Sequence, residues 1–186
     1  MQLQSYLKTI TGLSEKSWLL LGPALTLAEF KKGDFLLNAG DTCRAIFFIS
    51  KGYCRSFYDK DGKDINTMFY FEKDFAVNIK SLSANMASAY AIQACETLSA
   101  VRFDKTRLLE AYGLSHEIET LGRKLLELSA AKQEEHAALF KLLNAQERYE
   151  YLQKNQPEFL QRVSLTQLSS YIGVSRETLS RIRGKK

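Results

Sequence analysis

Residues 164–183 read SLTQLSSYIGVSRETLSRIR, and the organisation of the chain follows from them. Ser164 is placed to cap a first helix, with Gln167 three residues on completing a capping box. Leu168 and Ile172 stand one turn apart and face a core. Gly173 supplies the left-handed conformation that a sharp turn after a helix requires. Ser175 then caps a second helix, and Glu177 in its first turn suits the positive end of the helix dipole. Val174, Leu179 and Ile182 give this helix an apolar side, while Arg176, Glu177, Ser180 and Arg181 occupy the other. The pattern is that of a helix-turn-helix, whose second helix lies in the DNA major groove with its first residues against base edges. Arginine forks match guanine O6 and N7, and a carboxylate accepts from cytosine N4. Spacing alone fits a surface helical hairpin with solvated charges equally well.

The words GVSRETLSRI resemble the recognition unit of the Crp/Fnr family of bacterial transcription regulators, in an ungapped match over about twenty residues. In that family the opening S-R-E-T-x-x-R of the second helix carries the base-reading residues. The resemblance therefore implies base contacts from Arg176, Glu177 and Arg181, with Ser180 on the same face and Ser175 as cap and phosphate contact. It also implies a pseudo-palindromic DNA operator, a homodimer and RNA polymerase as partners. Family members often continue past the recognition helix into a small β wing. Here Gly184-Lys185-Lys186 closes the sequence, so phosphate contacts are expected from Arg183, Lys185, Lys186 and the Ser164–Thr166 segment. A smaller contact area makes binding weaker per subunit and more dependent on the dimer.

Charge is distributed to match. Residues 147–186 hold eight Lys/Arg and four Glu, and the remainder holds 18 basic and 17 acidic residues. Four of the five net positive charges thus lie beside the helix-turn-helix, where phosphates are approached. The 45% hydrophobic and 25% charged content is that of an ordinary globular chain. No apolar run approaches the roughly 18 residues of a membrane span, and MQLQSYLKTI lacks the apolar core and cleavage site of a signal peptide. A cytoplasmic protein with no membrane contact is expected. Cys43, Cys54 and Cys95 are far apart and form no C-x-x-C pair, which points to buried free thiols rather than a zinc site or disulfide framework. The iron–sulfur cysteine cluster of oxygen-sensing Crp/Fnr members has no counterpart before Cys43. No cofactor is indicated.

The N-terminal half has a different texture. Leu3 to Trp18 reads as helical, with Ser14 capping, and Pro23 ends the helix that carries Trp18 to Leu21. Short apolar or alternating runs then alternate with turn signals as far as Phe103, as in an all-β domain. The expected strands are 25–30, 35–37, 45–50, 53–58, 65–70, 90–94 and 98–103, with Asp61-Gly62 as a tight hairpin turn. The words KKGDFLLNAGD, FFISKGYCRSFY and FEKDF resemble the landmarks of the cyclic-nucleotide-binding β roll of the same family. The expected fold class is α+β: an N-terminal jelly-roll-like, cyclic-nucleotide-binding-like β-roll domain over 1–110, a dimerisation helix over 111–143 and an all-α helix-turn-helix domain over 144–186.

The sequence departs from the family at the nucleotide site. Nucleotide-binding members follow the D-F word with a Gly-Glu pair and then an arginine, which hold the ribose hydroxyl and the cyclic phosphate. Here no glutamate lies between Glu72 and Glu96 and no arginine between Arg55 and Arg102. Losing the arginine removes a charge-assisted contact worth about 1.5–3 kcal/mol, so cyclic AMP and cyclic GMP are not expected to bind by the usual mechanism. Two readings of the loop stand side by side. Asn78, Lys80, Ser83, Asn85 and Ser88, joined by Lys132, hold a different small-molecule effector, or Met86 and Tyr90 fill the pocket and it senses nothing.

Ser115 to Leu143 contains no proline and one glycine, Gly122. Ile118, Leu121, Leu125 and Leu128, then Leu139 and Leu142, recur at alternating steps of three and four, with Lys132 and Glu135 as a polar break. This is a heptad seam. A helix of this length runs on the order of 40 Å, which a second copy would cover. An amphipathic helix packed only on its own β roll has the same pattern. His116 and His136 lie too far apart on it to share a metal, and His136 in the polar break is read as solvated, with a place facing a ligand pocket as the alternative. Asn144 with Glu147 caps a further helix to Lys154, and Pro157 opens another.

The leading function is a dimeric sequence-specific DNA-binding regulator. The alternative is a dimeric ligand sensor or interaction module whose C-terminal unit no longer binds DNA. An enzyme is not indicated, because no nucleophile–base set, metal-ligand spacing or phosphate-cradling glycine loop is present.

Overall fold

A computed structural model describes residues 2–184. Two helices come first, α1 (Gln2–Thr11) and α2 (Glu15–Leu21). The expected Ser14 cap is present, its side chain accepting from Ser17 N–H, and the helical stretch is interrupted before it at Gly12–Ser14. Eight antiparallel strands follow: β1 (Leu25–Phe30), β2 (Phe35–Leu37), β3 (Ala45–Lys51), β4 (Cys54–Lys60), β5 (Lys63–Tyr70), β6 (Phe75–Ala76), β7 (Ala91–Ala94) and β8 (Leu98–Asp104). They form two four-stranded sheets, ordered β1-β8-β3-β6 and β2-β7-β4-β5. Phe47, Ile49, Cys54, Ile92, Leu98 and Ala100 share one apolar core between the sheets. Asp61 and Gly62 both have positive φ, as a type I′ turn between β4 and β5 requires.

The expected strand positions are met within two residues at each end. Two helices had no sequence expectation: α3 (Ile79–Ala84), capped by Asn78, and α4 (Lys105–Leu114), capped by Asp104. α5 (His116–Leu142) is one continuous helix of 27 residues. Its first half does not present a free seam. Ile118, Leu121 and Leu125 are buried with Leu3, Leu7, Phe48 and Phe103, in a core between α1, α2, α4, α5 and the outer face of the first sheet. An amphipathic helix on its own domain and one strand of a coiled coil share a period, and here the chain itself supplies the partner surface for these three residues. Leu128 and Leu142, from the same pattern, remain 44% and 78% exposed.

The chain ends in α6 (Ala145–Asn155), α7 (Pro157–Arg162), α8 (Leu165–Ile172) and α9 (Arg176–Gly184). Asn144 and Glu147 make the full reciprocal capping box at the start of α6. All three cysteines are free and buried, and burial pushes the Cys54 thiol well above its ordinary value. No helix among the described residues is long and apolar enough to cross a membrane.

Gly52, in the turn between β3 and β4, has φ +85°. A Cβ there would stand 2.5 Å from the Thr97 carbonyl oxygen. Both the backbone conformation and the packing therefore exclude a side chain. Gly52→Ala is expected to lower stability to urea by about 3 kcal/mol. Gly40→Ala, with positive φ but no atom within 4 Å, is expected to cost markedly less. Equal costs would show that the Thr97 contact is unimportant.

Candidate nucleic-acid interface

Helices α8 and α9 form the expected hairpin. Ser164 Oγ accepts from Gln167 N–H at 3.2 Å, Gly173 closes α8 at φ 84° and ψ 36°, and Ser175 Oγ accepts from Thr178 N–H at 3.2 Å. The reciprocal half of the Ser164–Gln167 capping box is absent. The Gln167 side chain instead donates to Cys95 Sγ at 3.6 Å. Arg148 on α6 ties the turn down, donating to the carbonyls of Leu143 and Ile172 at 2.9 and 2.6 Å while its guanidinium lies over the Phe140 ring. Leu179 is fully buried, with Leu168 and Ile172 behind it. That burial turns the opposite face outward, and Ser175, Arg176, Glu177, Ser180, Arg181 and Arg183 are all exposed. Ser164 and Thr166 are exposed at the start of α8. Lys185 lies outside the described residues. The Glu177 carboxyl is held below the usual carboxylate range by its own backbone N–H and the Ser175 hydroxyl, and secondarily by Arg176 and Arg181. It stays an anion and an acceptor at neutral pH.

The hairpin is docked on the β roll. β5 is an edge strand, and an edge strand leaves a row of unpaired backbone groups. Near its start, Ser170 of α8 satisfies two of them: its hydroxyl donates to the Asp64 carbonyl at 2.7 Å and accepts from Asn66 N–H at 2.9 Å. A bulge follows, where Ser56 pairs Met68 and Phe57 pairs Asn66 across the ladder. Arg162 at the end of α7 makes the second attachment. It is bidentate to Glu72 at 2.7 and 3.1 Å and reaches Glu96 at 2.6 Å. The Tyr53 hydroxyl donates to the Arg162 carbonyl at 3.0 Å. Burial alone would push the Glu72 carboxyl up, but hydrogen bonds from Arg162 and from Gly52 N–H hold it below the ordinary range. Between these points Phe69 packs edge-on against Phe159 and Tyr171, with ring centroids 5.1 and 5.4 Å away. In this arrangement Ser164, Thr166, Ser175 and Arg176 open onto a cleft whose other wall is the β4–β5 hairpin at Gly62–Asn66.

Of the residues proposed from sequence as a ligand pocket, Asn78 and Ser88 are brought together, and Lys132 lies apart from the rest. Asn78 and Ser88 are buried and bonded to each other at 2.7 Å, and Asn78 also accepts from Ser81 N–H. Lys80, Ser83 and Asn85 are exposed on or beside α3. Lys132 lies elsewhere, on α5, paired with Asp74 at 2.8 Å. Met86 is 53% exposed and fills nothing, whereas Tyr90 is half-buried with its hydroxyl 3.4 Å from the Val77 carbonyl. His136 is half-buried and faces the space between α5 and the C-terminal helices. It packs against Phe140 and Tyr171, with ring centroids at 4.8 and 5.1 Å, and its Nε2 is buried without a hydrogen-bond partner. Its aromatic neighbour Tyr171 lies 35 residues away in sequence, a pairing with no local signature. Among the described residues no group of His, Cys, Asp and Glu is arranged to hold a metal.

Comparison with known proteins gives a consistent picture. Residues 27–113 match the cyclic nucleotide-binding domain family. Over 164 residues the chain is 27% identical to the transcriptional activator protein FnrA of Stutzerimonas stutzeri, a match covering 82% of this chain and 66% of that protein. The chain thus spans just under two thirds of that relative's length. Among solved structures, FixK2 from Bradyrhizobium japonicum aligns with a TM-score of 0.68 at 20% identity, over 87% of this chain and 83% of its own. The c-di-GMP-responsive global regulator CLP of Xanthomonas campestris aligns with a TM-score of 0.72 at 14% identity, over 92% and 91%. These likenesses establish the fold, with a roll and a C-terminal helical domain.

Burial, and then the Arg148 guanidinium, hold the His136 imidazole below its ordinary value of 6.5. The unfolded chain therefore binds more protons than the folded one between the two values, and stability rises with pH there. The contribution is complete above about pH 6.5 and is lost as pH falls toward the folded value. The melting temperature should drop more between pH 7.5 and pH 5.5 for the unaltered chain than for His136→Phe. Equal drops would place the imidazole in solvent.

Proposed function

We propose that this chain, similar in sequence and fold to Crp/Fnr regulators, is a transcription regulator that binds DNA sequence-specifically as a homodimer and does not respond to cyclic AMP through the usual site. The observation that carries this reading is the α8–turn–α9 unit. Leu179 is buried on one side of α9, and Arg176, Glu177 and Arg181 stand together in solvent on the other. Two arginines and an ionised carboxylate on the opening turns of such a helix are the groups that read guanine and cytosine edges. The concentration of net positive charge in residues 147–186 supports the approach to phosphates.

Homodimer formation is supported by the outer face of α5. Leu128, Ala131, Ala138 and Leu142 follow one another along this face, and Leu128 and Leu142 are exposed. A second copy there would set two recognition helices about one helical turn of DNA apart. Independence from cyclic AMP is supported by the missing arginine and by α3, whose first turn is already capped by the Asn78 side chain. RNA polymerase is the protein partner that the resemblance implies. A cytoplasmic location fits this reading.

DNA access has a structural condition. Because Ser164, Thr166 and Arg176 share their cleft with the β4–β5 hairpin, a duplex reaching them must displace the hairpin from Ser170. Loosening the dock and removing a base contact should then have opposite signs.

Selection of random duplexes by the purified protein at moderate salt is expected to enrich a pseudo-palindrome. Failure to enrich one would leave the sensor or interaction-module reading. With the enriched duplex, Arg181→Ala should cost about 1–3 kcal/mol and relax one base position, while Arg162→Ala should tighten binding several-fold. Uniform weakening across sequences by Arg181→Ala would assign that arginine to phosphate. Weakening by Arg162→Ala would show that the dock does not compete with DNA. A calorimetric titration with cyclic AMP is expected to give no binding heat.

A further inference from the structure

A cavity of about 470 Å³ lies where the roll, α5 and the C-terminal helices meet. Its lining comes from β5 and the loop after it, from the second half of α5, and from α6, α7 and α8. It is separate from the cleft beside Ser164 and Arg176 and from the loop around α3.

Its chemistry is unusual in two ways. Five aromatic side chains line it: Phe69, Phe71, Tyr151, Phe159 and Tyr171. Phe69, Phe159 and Tyr171 form a mutually packed wall, with centroids 5.1–5.4 Å apart. The charged groups in the lining are Asp74, Lys132, Glu135 and Glu158. Asp74 and Lys132 neutralise each other at 2.8 Å. Glu135 and Glu158 have neither an ion-pair nor a side-chain hydrogen-bond partner among the described residues. His136, also in the lining, has its Nε2 buried without a partner against aromatic rings, an environment that favours the neutral ring.

The cavity therefore offers aromatic surface and two uncompensated negative charges, and its one lysine is already committed. An anion such as a cyclic nucleotide meets repulsion and no free donor of positive charge. A cation is attracted by the carboxylates, and a planar aromatic one also gains apolar contact with the partly exposed Phe71 and Tyr151 rings. The volume lies within the range of small-molecule sites. We propose that this cavity binds a small aromatic cation. Because its walls belong to the roll and to the helix-turn-helix domain together, the bound molecule bridges them and stabilises the docked arrangement.

The binding claim does not depend on DNA recognition and is tested without DNA. Ethidium, a planar aromatic cation, is titrated by fluorescence into the full chain freed of nucleic acid, with 8-anilinonaphthalene-1-sulfonate as a planar aromatic anion for contrast. Ethidium is expected to saturate one site with a dissociation constant in the micromolar range and to raise the melting temperature, while the anion does not saturate. The double substitution Glu135→Gln and Glu158→Gln changes two exposed side chains, so folding, checked by circular dichroism, is expected to persist. It should weaken ethidium by about tenfold. Absence of saturable ethidium binding would overturn the proposal, as would equal binding of the sulfonate. Ethidium affinity unchanged in the double variant would place the cation elsewhere and also overturn it.

Discussion

The guanidinium of Arg162 joins the two halves of this molecule. It is held by Glu72 and Glu96, and it lies 5.2 Å from the ring centroids of both Tyr53 and Phe71. Glu72 in turn accepts from Gly52 N–H, so the glycine turn between β3 and β4 is linked to the end of α7. The groups are only part-buried, and a surface ion pair of this exposure is ordinarily worth little. Its importance lies in geometry: a bidentate fork, a second carboxylate and two ring faces fix one guanidinium in position. Two carboxylates against one cation also leave a surplus of negative charge. Removing Arg162 would place Glu72 and Glu96 together with nothing between them, which is why the network holds as a unit or not at all.

Once α7 is pinned, α8 has little choice of position, and the unpaired edge of β5 takes it. Ser170 is small enough to approach the strand and carries both a donor and an acceptor, so one side chain satisfies the Asp64 carbonyl and the Asn66 N–H. A larger apolar residue there would leave both groups unpaired beneath a helix. The aromatic cluster then closes behind it, with Tyr53 and Phe69 from the roll and Phe159 and Tyr171 from the helices in one apolar core. The helix-turn-helix thus has no separate interior of its own. Part of what keeps its helices in register is surface supplied by the roll.

The sequence revealed those features whose causes are local. The caps at Ser14, Asn144, Ser164 and Ser175, the Asp61-Gly62 turn, the Gly173 turn and the strands from Leu25 to Phe103 all depend on residues within a few positions of one another. Non-local competition accounts for the differences. Gln167 has the spacing of a capping-box partner but finds Cys95, 72 residues away. Ile118, Leu121 and Leu125 have the period of a coiled-coil seam, and the same period serves a helix lying on α1 and the first sheet. His136 sits among polar neighbours in sequence, yet the helical turn brings Phe140 beside it and the fold brings Tyr171. The aromatic cavity was invisible for the same reason, since its lining is drawn from segments between Met68 and Tyr171.

α5 couples these distant features because it is unbroken. Its first half is fixed by Ile118, Leu121 and Leu125 in the core with α1. One to two turns further on, Lys132 is tied to Asp74 of the roll, and His136 one turn beyond touches Tyr171 of α8. A helix anchored firmly at one end and in contact with both domains at the other cannot shift relative to the roll without altering the Lys132–Asp74 pair and the His136–Tyr171 contact together. Interfaces packed this way move between discrete arrangements rather than deforming smoothly. The polar break at Lys132 and Glu135, which reads as a defect in an apolar seam, is where α5 leaves its own core and meets the other domain. Apolar residues in both positions would lengthen the seam but remove the attachment to Asp74 and one of the two unpaired carboxylates in the cavity.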